Sequence, residues 1–234
     1  MTSFNNVPIW DEPLIGFANG DDPIFQDYRR IIGDFHLTPR EALAKHPQLM
    51  GDSVSGRRPR NVSVISWILP STYETRLSLR KESVVPSLRW NHTRWQGQNF
   101  ISELSRYLVS LLERLGHHAV TTELLDSYQI RDSPNGLVSN WSQRHIAYAA
   151  GLGTFSLSDG FITPKGVAIR VGSVVCDADL TPTPRVYENH LANCLFHRGG
   201  SCRRCIERCP ADAISEQGHD KNRRRQFLFN EQKQ

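Results

Sequence analysis

The sequence predicts a mixed α/β (α+β) body followed by a small cysteine-rich module, and three observations carry that expectation. Short β-branched runs alternate with amphipathic helical stretches, the element order of a layered α/β architecture. Four of the five cysteines, Cys194, Cys202, Cys205 and Cys209, fall close together near the C-terminus. The net charge of +4 arises in the stretch that follows Cys194: residues 198–234 carry 9 Lys and Arg against 5 Asp and Glu, whereas residues 1–197 carry 19 of each. With 234 residues, 38 % of them apolar, the chain is long enough to bury a core without disulfide staples. Clustered cysteines therefore call for another explanation.

The elements follow in order. Asp22-Pro23 before Ile24, Phe25, Tyr28, Ile31 and Ile32 reads as a capped helix, because proline at the first helical position loses no hydrogen bond. Thr38-Pro39-Arg40-Glu41 forms a capping box before Ala42, Leu43 and Ala44. Residues 45–60 are polar, contain Gly51 and Gly56, and read as a loop. Val62, Val64, Ile65, Trp67, Ile68 and Leu69 form a short apolar run stopped by Pro70, a buried strand. Phe100, Ile101, Leu104, Tyr107, Leu108, Leu111, Leu112 and Leu115 lie on one face of a helix that Gly116 ends. Residues 117–123 read as the next strand. Residues 126–139 read as a loop turning at Pro134-Asn135-Gly136, and residues 141–150 as a second amphipathic helix closed by Gly151-Leu152-Gly153. Residues 166–176 form a third strand. Thr181-Pro182-Thr183-Pro184 marks a change of regime, so the expected division is a neutral α/β body at 1–185 and a small cysteine-rich module with a basic tail at 186–234.

The module carries the strongest chemical signal. Its pattern is Cys194-x7-Cys202-x2-Cys205-x3-Cys209-Pro210, then Ala211-Asp212-Ala213-Ile214. Short spacings let one turn present several sulfurs to a single centre, and the C-x2-C-x3-C-P tail matches ferredoxin-type cluster runs. A four-thiolate zinc site is the competing reading, although zinc knuckles are usually built two plus two. The first gap, residues 195–201, is wider than in ferredoxins and contains Gly199-Gly200. With Cys176 at the end of an apolar strand and reading as a small buried hydrophobe, one complete four-cysteine cluster fits.

Other features are weaker. Gly151-x-Gly153 reads as a helix cap and not as a dinucleotide fingerprint, since no third glycine follows at the required spacing. Arg170 sits in an apolar strand, so its charge calls for a carboxylate, a phosphate or a cofactor oxygen. Trp90, His92, Arg94 and Trp95 form an aromatic-basic group suited to a cofactor wall or to a core. Lys221 to Arg225 suits phosphate or a solvated helix face. The N-terminus has no basic segment followed by an apolar run, and no stretch reaches membrane-spanning length, so a cytoplasmic protein without membrane attachment is expected.

With these parts assembled, the chain resembles the epoxyqueuosine reductase-like iron-sulfur proteins, related to corrinoid-dependent reductive dehalogenases. The carrying segments are residues 139–155 (SNWSQRHIAYAAGLGTF), Ile162-Thr163-Pro164-Lys165-Gly166, Arg170-Val171-Gly172-Ser173 and the cysteine module. The resemblance implies 4Fe-4S chemistry feeding a cobalamin held between body and module. It makes Cys194, Cys202, Cys205 and Cys209 the metal ligands and Arg144, His145, Thr154, Phe155 and Arg170 cofactor-binding candidates. This chain departs from the pattern at two places. Gln143-Arg144 stands where relatives carry Glu-Arg, and six residues earlier, where the tRNA-modifying enzymes have a proton-donating Asp, stands Leu137. Asn222-Arg223-Arg224-Arg225 stands where a second cysteine run begins, so the chain is expected to carry one cluster and to be short of the second. The expected function is an iron-sulfur oxidoreductase relaying electrons from a ferredoxin- or flavodoxin-type donor to a corrinoid and a small-molecule substrate, with nucleic acid as a lesser candidate partner. The alternative is a structural or electron-carrying four-cysteine module binding zinc or iron-sulfur.

Overall fold

The structure, a computed structural model, describes residues 2–50, 59–134 and 136–231. In chain order the elements are β1 (Ser3–Phe4), β2 (Val7–Pro8), β3 (Leu14–Asn19), α1 (Ile24–Ile32), α2 (Pro39–Leu43), α3 (Pro47–Met50), β4 (Ser63–Pro70), α4 (Tyr73–Arg80), α5 (Leu88–Arg114), β5 (Ala119–Val120), a 3-10 turn (Thr122–Leu124), β6 (Ile130–Arg131), β7 (Val138–Ser139), α6 (Gln143–Ala149), β8 (Thr154–Phe155), β9 (Phe161–Ile162), β10 (Ile169–Cys176), α7 (Leu195–Gly199), α8 (Arg204–Glu207), β11 (Ile214–Ser215), β12 (Gly218–His219) and α9 (Lys221–Glu231).

The mixed α/β character is present, and the organiser is a four-stranded sheet in the order β3-β4-β10-β5, with every neighbouring pair antiparallel. The strand-helix-strand reading therefore needs correction: β4 and β5 run the same way, but β10 lies between them. Both faces of the sheet are covered, which is why β4 reads as a near-continuous apolar run and not as an alternation. Val64, Ile68, Val120 and Val175 face a core with Phe25, Tyr28, Leu43, Trp141 and Ile146 from α1, α2 and the start of α6. Trp67, Leu69, Val174 and Cys176 face the other way, onto Ile101 and its helix α5. Cys176 is completely buried, the small hydrophobe that the sequence suggests.

Local chemistry explains the agreements. Asp22 Oδ1 accepts the Ile24 N–H at the start of α1. The Thr38–Glu41 capping box is present in full. Gly151, with φ +73°, closes α6 in the left-handed conformation that glycine tolerates, and a Cβ there would lie 2.8 Å from the Pro184 carbonyl.

The differences also have causes. Strand β3 escapes the sequence pattern because LIGFAN carries a glycine and an alanine where a strand pattern needs bulk. Helix α5 begins at Leu88, not Phe100, because its first half is polar and aromatic and lacks an apolar stripe; Ser87 caps it, accepting the Trp90 N–H. Gly97 within α5 makes room for the Trp10 ring, which would meet a Cβ at 2.5 Å. The expected strand at 117–123 shrinks to the two residues opposite Val175 and Cys176, after which the chain enters the 3-10 turn. The expected strand at 166–176 starts only at Ile169, because Gly166 and Thr163 exchange hydrogen bonds in a turn. The expected loop at 126–139 contains the β6–β7 pair; Asn135 of its turn lies outside the described residues. The loop expected at 45–60 begins with α3, and its residues 51–58 lie outside the described residues.

Beyond β10 the chain crosses back to the sheet edge, where Thr183 exchanges bonds of 2.9 and 3.0 Å with Phe17, and Arg185 pairs with Asp22 at 2.6 Å. The cysteine-bearing segment then lies against the body through polar links. Phe155 N–H donates to His190 at 2.7 Å, Asn193 N–H donates to Thr154 Oγ1 at 3.0 Å, and Arg208 donates to the carbonyls of Leu79, Arg80 and Glu82. Among the described residues, no helix is long and apolar enough to cross a membrane.

Candidate functional site

Where the cysteine-bearing segment meets the body, two clefts open side by side. One, of about 860 Å³, has Cys205 and Cys209 in its wall together with Arg144, Asp159, His219 and Lys221. The second, of about 740 Å³, is lined by Tyr28, Ser142, His145, Tyr148, Phe155 and His190. Leu137, Arg144, Asp159 and Lys221 belong to both walls, so the clefts adjoin at these four residues.

Helix α6 positions the second cleft. It is anchored to the sheet by a relay in which Trp141 Nε1–H donates to Ser173 Oγ at 2.9 Å, and Ser173 Oγ–H donates to Gln143 Oε1 at 2.8 Å. Gln143 also bonds Glu123, whose carboxyl is raised by burial, an effect that this bond opposes. Gln143 thus acts as a structural link. Two residues on, His145 is held from three sides: Ser142 Oγ bonds its Nδ1 at 2.8 Å, Tyr28 donates to its carbonyl at 2.8 Å, and its ring lies against Phe155 with centroids 4.8 Å apart. Burial pushes the His145 imidazole down to about 3, and its neighbours His36, Arg144, Lys221 and His190 act in the same direction. His145 is therefore a neutral, oriented imidazole at neutral pH. Burial likewise raises the Tyr28 phenol, which stays protonated.

The shared wall is cationic. Asp159 sits with φ +56° in the turn between β8 and β9. Its carboxylate meets His219 Nδ1 at 3.2 Å and Lys221 Nζ at 3.5 Å, while its carbonyl accepts from Arg144. Arg144 is solvent-exposed in the wall that the two clefts share. Burial lowers its pKa from the usual guanidinium value, Asp159 opposes that shift, and nearby Arg224 adds to it.

Of the four candidate ligands, Cys194 is buried and caps α7, whereas Cys202, Cys205 and Cys209 are partly exposed. Burial raises the Cys205 thiol, the backbone N–H groups of Cys205 and Ile206 oppose this, and Cys194 and Cys202 act on it in the raising direction. Those three sulfurs thus lie within electrostatic reach of one another. Cys209 Sγ accepts the Ala213 N–H at 3.3 Å, the kind of turn hydrogen bond that tunes cluster sulfurs. No group of three or more His, Cys, Asp or Glu among the described residues stands at metal-binding separation.

The structure brings Arg144, His145 and Phe155 together and leaves two candidates apart. Thr154 is fully buried, and its hydroxyl accepts from Asn193, so it positions the chain next to Cys194 and does not face a cleft. The Arg170 side chain has no hydrogen-bond or ion-pair partner among the described residues; burial lowers its pKa, and Arg94 adds to that effect. The carboxylate sought for Arg170 is absent there. Of the aromatic-basic group, Arg94 reaches the larger cleft, while Trp95 is exposed to solvent. Leu137 lies half exposed in the shared wall and gives it an apolar surface there. Sequence reasoning missed Asp159 and His219, whose sole local signal is a Ser-Asp-Gly turn and a His-Asp step. It also missed Tyr28 and His190, which only packing brings to the cleft.

Comparison with known proteins finds no matching family model and no matching curated protein. Among solved structures, the chain is similar to epoxyqueuosine reductase from Bacillus subtilis with its catalytic loop swung out of the active site (15 % identity, TM-score 0.46, covering 92 % of this chain and 52 % of that one). It is similar to a selenomethionine-labelled epoxyqueuosine reductase (16 %, 0.46, covering 94 % and 53 %) and to epoxyqueuosine reductase from Streptococcus thermophilus (16 %, 0.47, covering 90 % and 52 %). The chain spans about half the length of each of them.

Proposed function

We propose that the chain is an iron-sulfur redox protein in which one 4Fe-4S cluster, held by Cys194, Cys202, Cys205 and Cys209, delivers single electrons into the paired clefts for reductive chemistry. One observation carries this reading: Cys205 and Cys209 stand in the wall of a cleft that adjoins a second, aromatic-lined cleft. The donor set suits the cluster, with four thiols in one segment and a backbone N–H already directed at Cys209 Sγ. Bound there, the cluster would supply electrons one at a time, drawn from a ferredoxin- or flavodoxin-type donor. A corrinoid is the second cofactor implied by the sequence resemblance. Arg144, His145 and Phe155 are the residues placed to hold it: the guanidinium binds an acidic or amide oxygen, the neutral imidazole offers one donor and one acceptor, and the ring gives an apolar face. Leu137 offers no proton at the shared wall, so a proton needed by a reduced substrate must come from another group or from solvent.

Purification without oxygen, with iron, acid-labile sulfide and cobalt measured against protein, tests the reading. About four iron and four sulfide per chain are expected, with a reduced-state paramagnetic signal that Cys209→Ser removes. Stoichiometric zinc with no sulfide would overturn the redox reading in favour of a structural four-cysteine module. Iron and sulfide with no uptake of added corrinoid would overturn the corrinoid and leave electron transfer.

A further inference from the structure

The α4–α5 connection, residues 81–87, and the cysteine-bearing segment meet at Arg208, which donates to the carbonyls of Leu79, Arg80 and Glu82. Val84 of the connection and Cys205 of the segment consequently share one cleft wall with Arg204 and Arg208. Beside that wall the chain turns apolar side chains outward: Val84 is 53 % exposed, Val85 52 % and Leu88, the first residue of α5, 80 %. None of the three belongs to either core. An apolar patch left to water and rimmed by polar residues marks an interaction surface.

Charge narrows the partner. Residues 79–89 and 203–209 carry six Lys and Arg against two Asp and Glu. Two of these arginines are matched by exposed acids, Arg203 by Glu216 and Arg204 by Glu207. The other four are not: Arg89 and Arg208 bond only neutral oxygens, and the Arg80 and Lys81 side chains have no hydrogen-bond or ion-pair partner among the described residues. Glu82 is the one acid left against them in these two stretches. A cationic rim beside an apolar centre complements a small acidic protein. Nucleic acid fits less well, because bases stack on aromatic rings and this patch is aliphatic.

We propose that this face docks the small acidic one-electron carrier protein that reduces the cluster, with Val84, Val85 and Leu88 at the centre of the contact and Arg80, Lys81 and Arg208 steering its approach. Cys205, partly exposed and in the wall shared with Val84, is then the ligand beside which the electron enters. The carrier gives up one electron and the cluster accepts it, with no bond made or broken. A small contact suffices, since electron-transfer encounters lie at the low end of interface size. The inference rests on the redox reading above and names where its donor binds, and that binding is measurable apart from any turnover.

Surface plasmon resonance on the full chain, purified without oxygen, tests it with an acidic 2Fe-2S ferredoxin, an acidic flavodoxin, cytochrome c as a basic carrier, and a short single-stranded RNA. At least one acidic carrier is expected to bind, about tenfold more weakly in high salt than in low salt, and cytochrome c is expected not to bind. Val85→Asp combined with Leu88→Asp should weaken that carrier at least about tenfold. Arg80→Glu combined with Lys81→Glu should slow its association about tenfold and change its dissociation less. All four side chains are exposed, so iron content and melting temperature should stay at the wild-type level in both variants. No binding of either acidic carrier, equal binding of cytochrome c, carrier binding unchanged in the Val85 and Leu88 variant, or RNA binding that the acidic carrier cannot displace would each overturn the proposal. A chain that holds a dithionite-reducible cluster but binds neither acidic carrier loses only the docking face. Zinc without sulfide overturns the redox reading and the docking face with it.

Discussion

The body and the cysteine-bearing segment are held by different forces. Around the sheet, whole side chains such as Trp141, Phe25, Ile68 and Ile146 are sealed between β-strands and helices on both faces. Within 186–230, only Cys194 and Ala213 are buried, and helix α9 is polar except for Phe227, Leu228 and Phe229, none of them buried. That segment has no apolar core of its own, and its attachment is a set of hydrogen bonds and ion pairs to Thr154, Asp159 and the α4–α5 connection. The contrast shows where a metal centre would matter: a segment that buries so little apolar surface gains stability from ligation that the body does not need.

Three measurements would break or sharpen this contrast. The largest effect is expected for Trp141→Ala, which empties the core, cuts the bond to Ser173 and removes the ring stacked on His36. A loss of about 4 kcal/mol in denaturant unfolding is expected, with both regions melting together. A smaller effect comes from acid. His36 is fully buried, and burial pushes its imidazole down to about 4 from 6.5. The unfolded chain therefore takes up a proton that the folded chain refuses, so stability is intact above pH 6.5 and falls as the pH drops toward 4. At pH 5 the loss from His36 is about 2 kcal/mol, and His145 acts in the same direction. Unfolding free energy measured against pH should show this slope, and His36→Gln should flatten it. The smallest effect belongs to the attachment: Arg208→Ala removes the donations to Leu79, Arg80 and Glu82. Global stability should change by less than about 1 kcal/mol, while amide exchange around α8 rises. Equal loss in both regions would show the segment to be part of the body's cooperative unit.

Much of the fold was legible where a local rule decides. The Thr38–Glu41 capping box, the Asp22-Pro23 start of α1 and the Gly151 stop of α6 rest on backbone chemistry within a few residues, and they are present as the sequence implies. Legibility failed where the deciding partner is remote. LIGFAN is a strand because β4 lies beside it, and the first half of α5 is a helix although no apolar stripe announces it.

The site divides along the same line. By itself the sequence determined the thiol cluster, its spacing and the charge that follows it, because those depend on residue type and order within one short segment. It also pointed to α6 as the element carrying Arg144 and His145. Only the tertiary structure decided that Leu137 and Asp159, neither on α6, share a wall with Lys221 of α9, and that Thr154 is a buried anchor and not a ligand contact. It also decided that His145 stays neutral while the Arg170 guanidinium lies without a partner among the described residues. Burial and electrostatic neighbourhood are sums over groups distant in the chain, so no local pattern encodes them, whereas ligand spacing and capping are local and can be read directly.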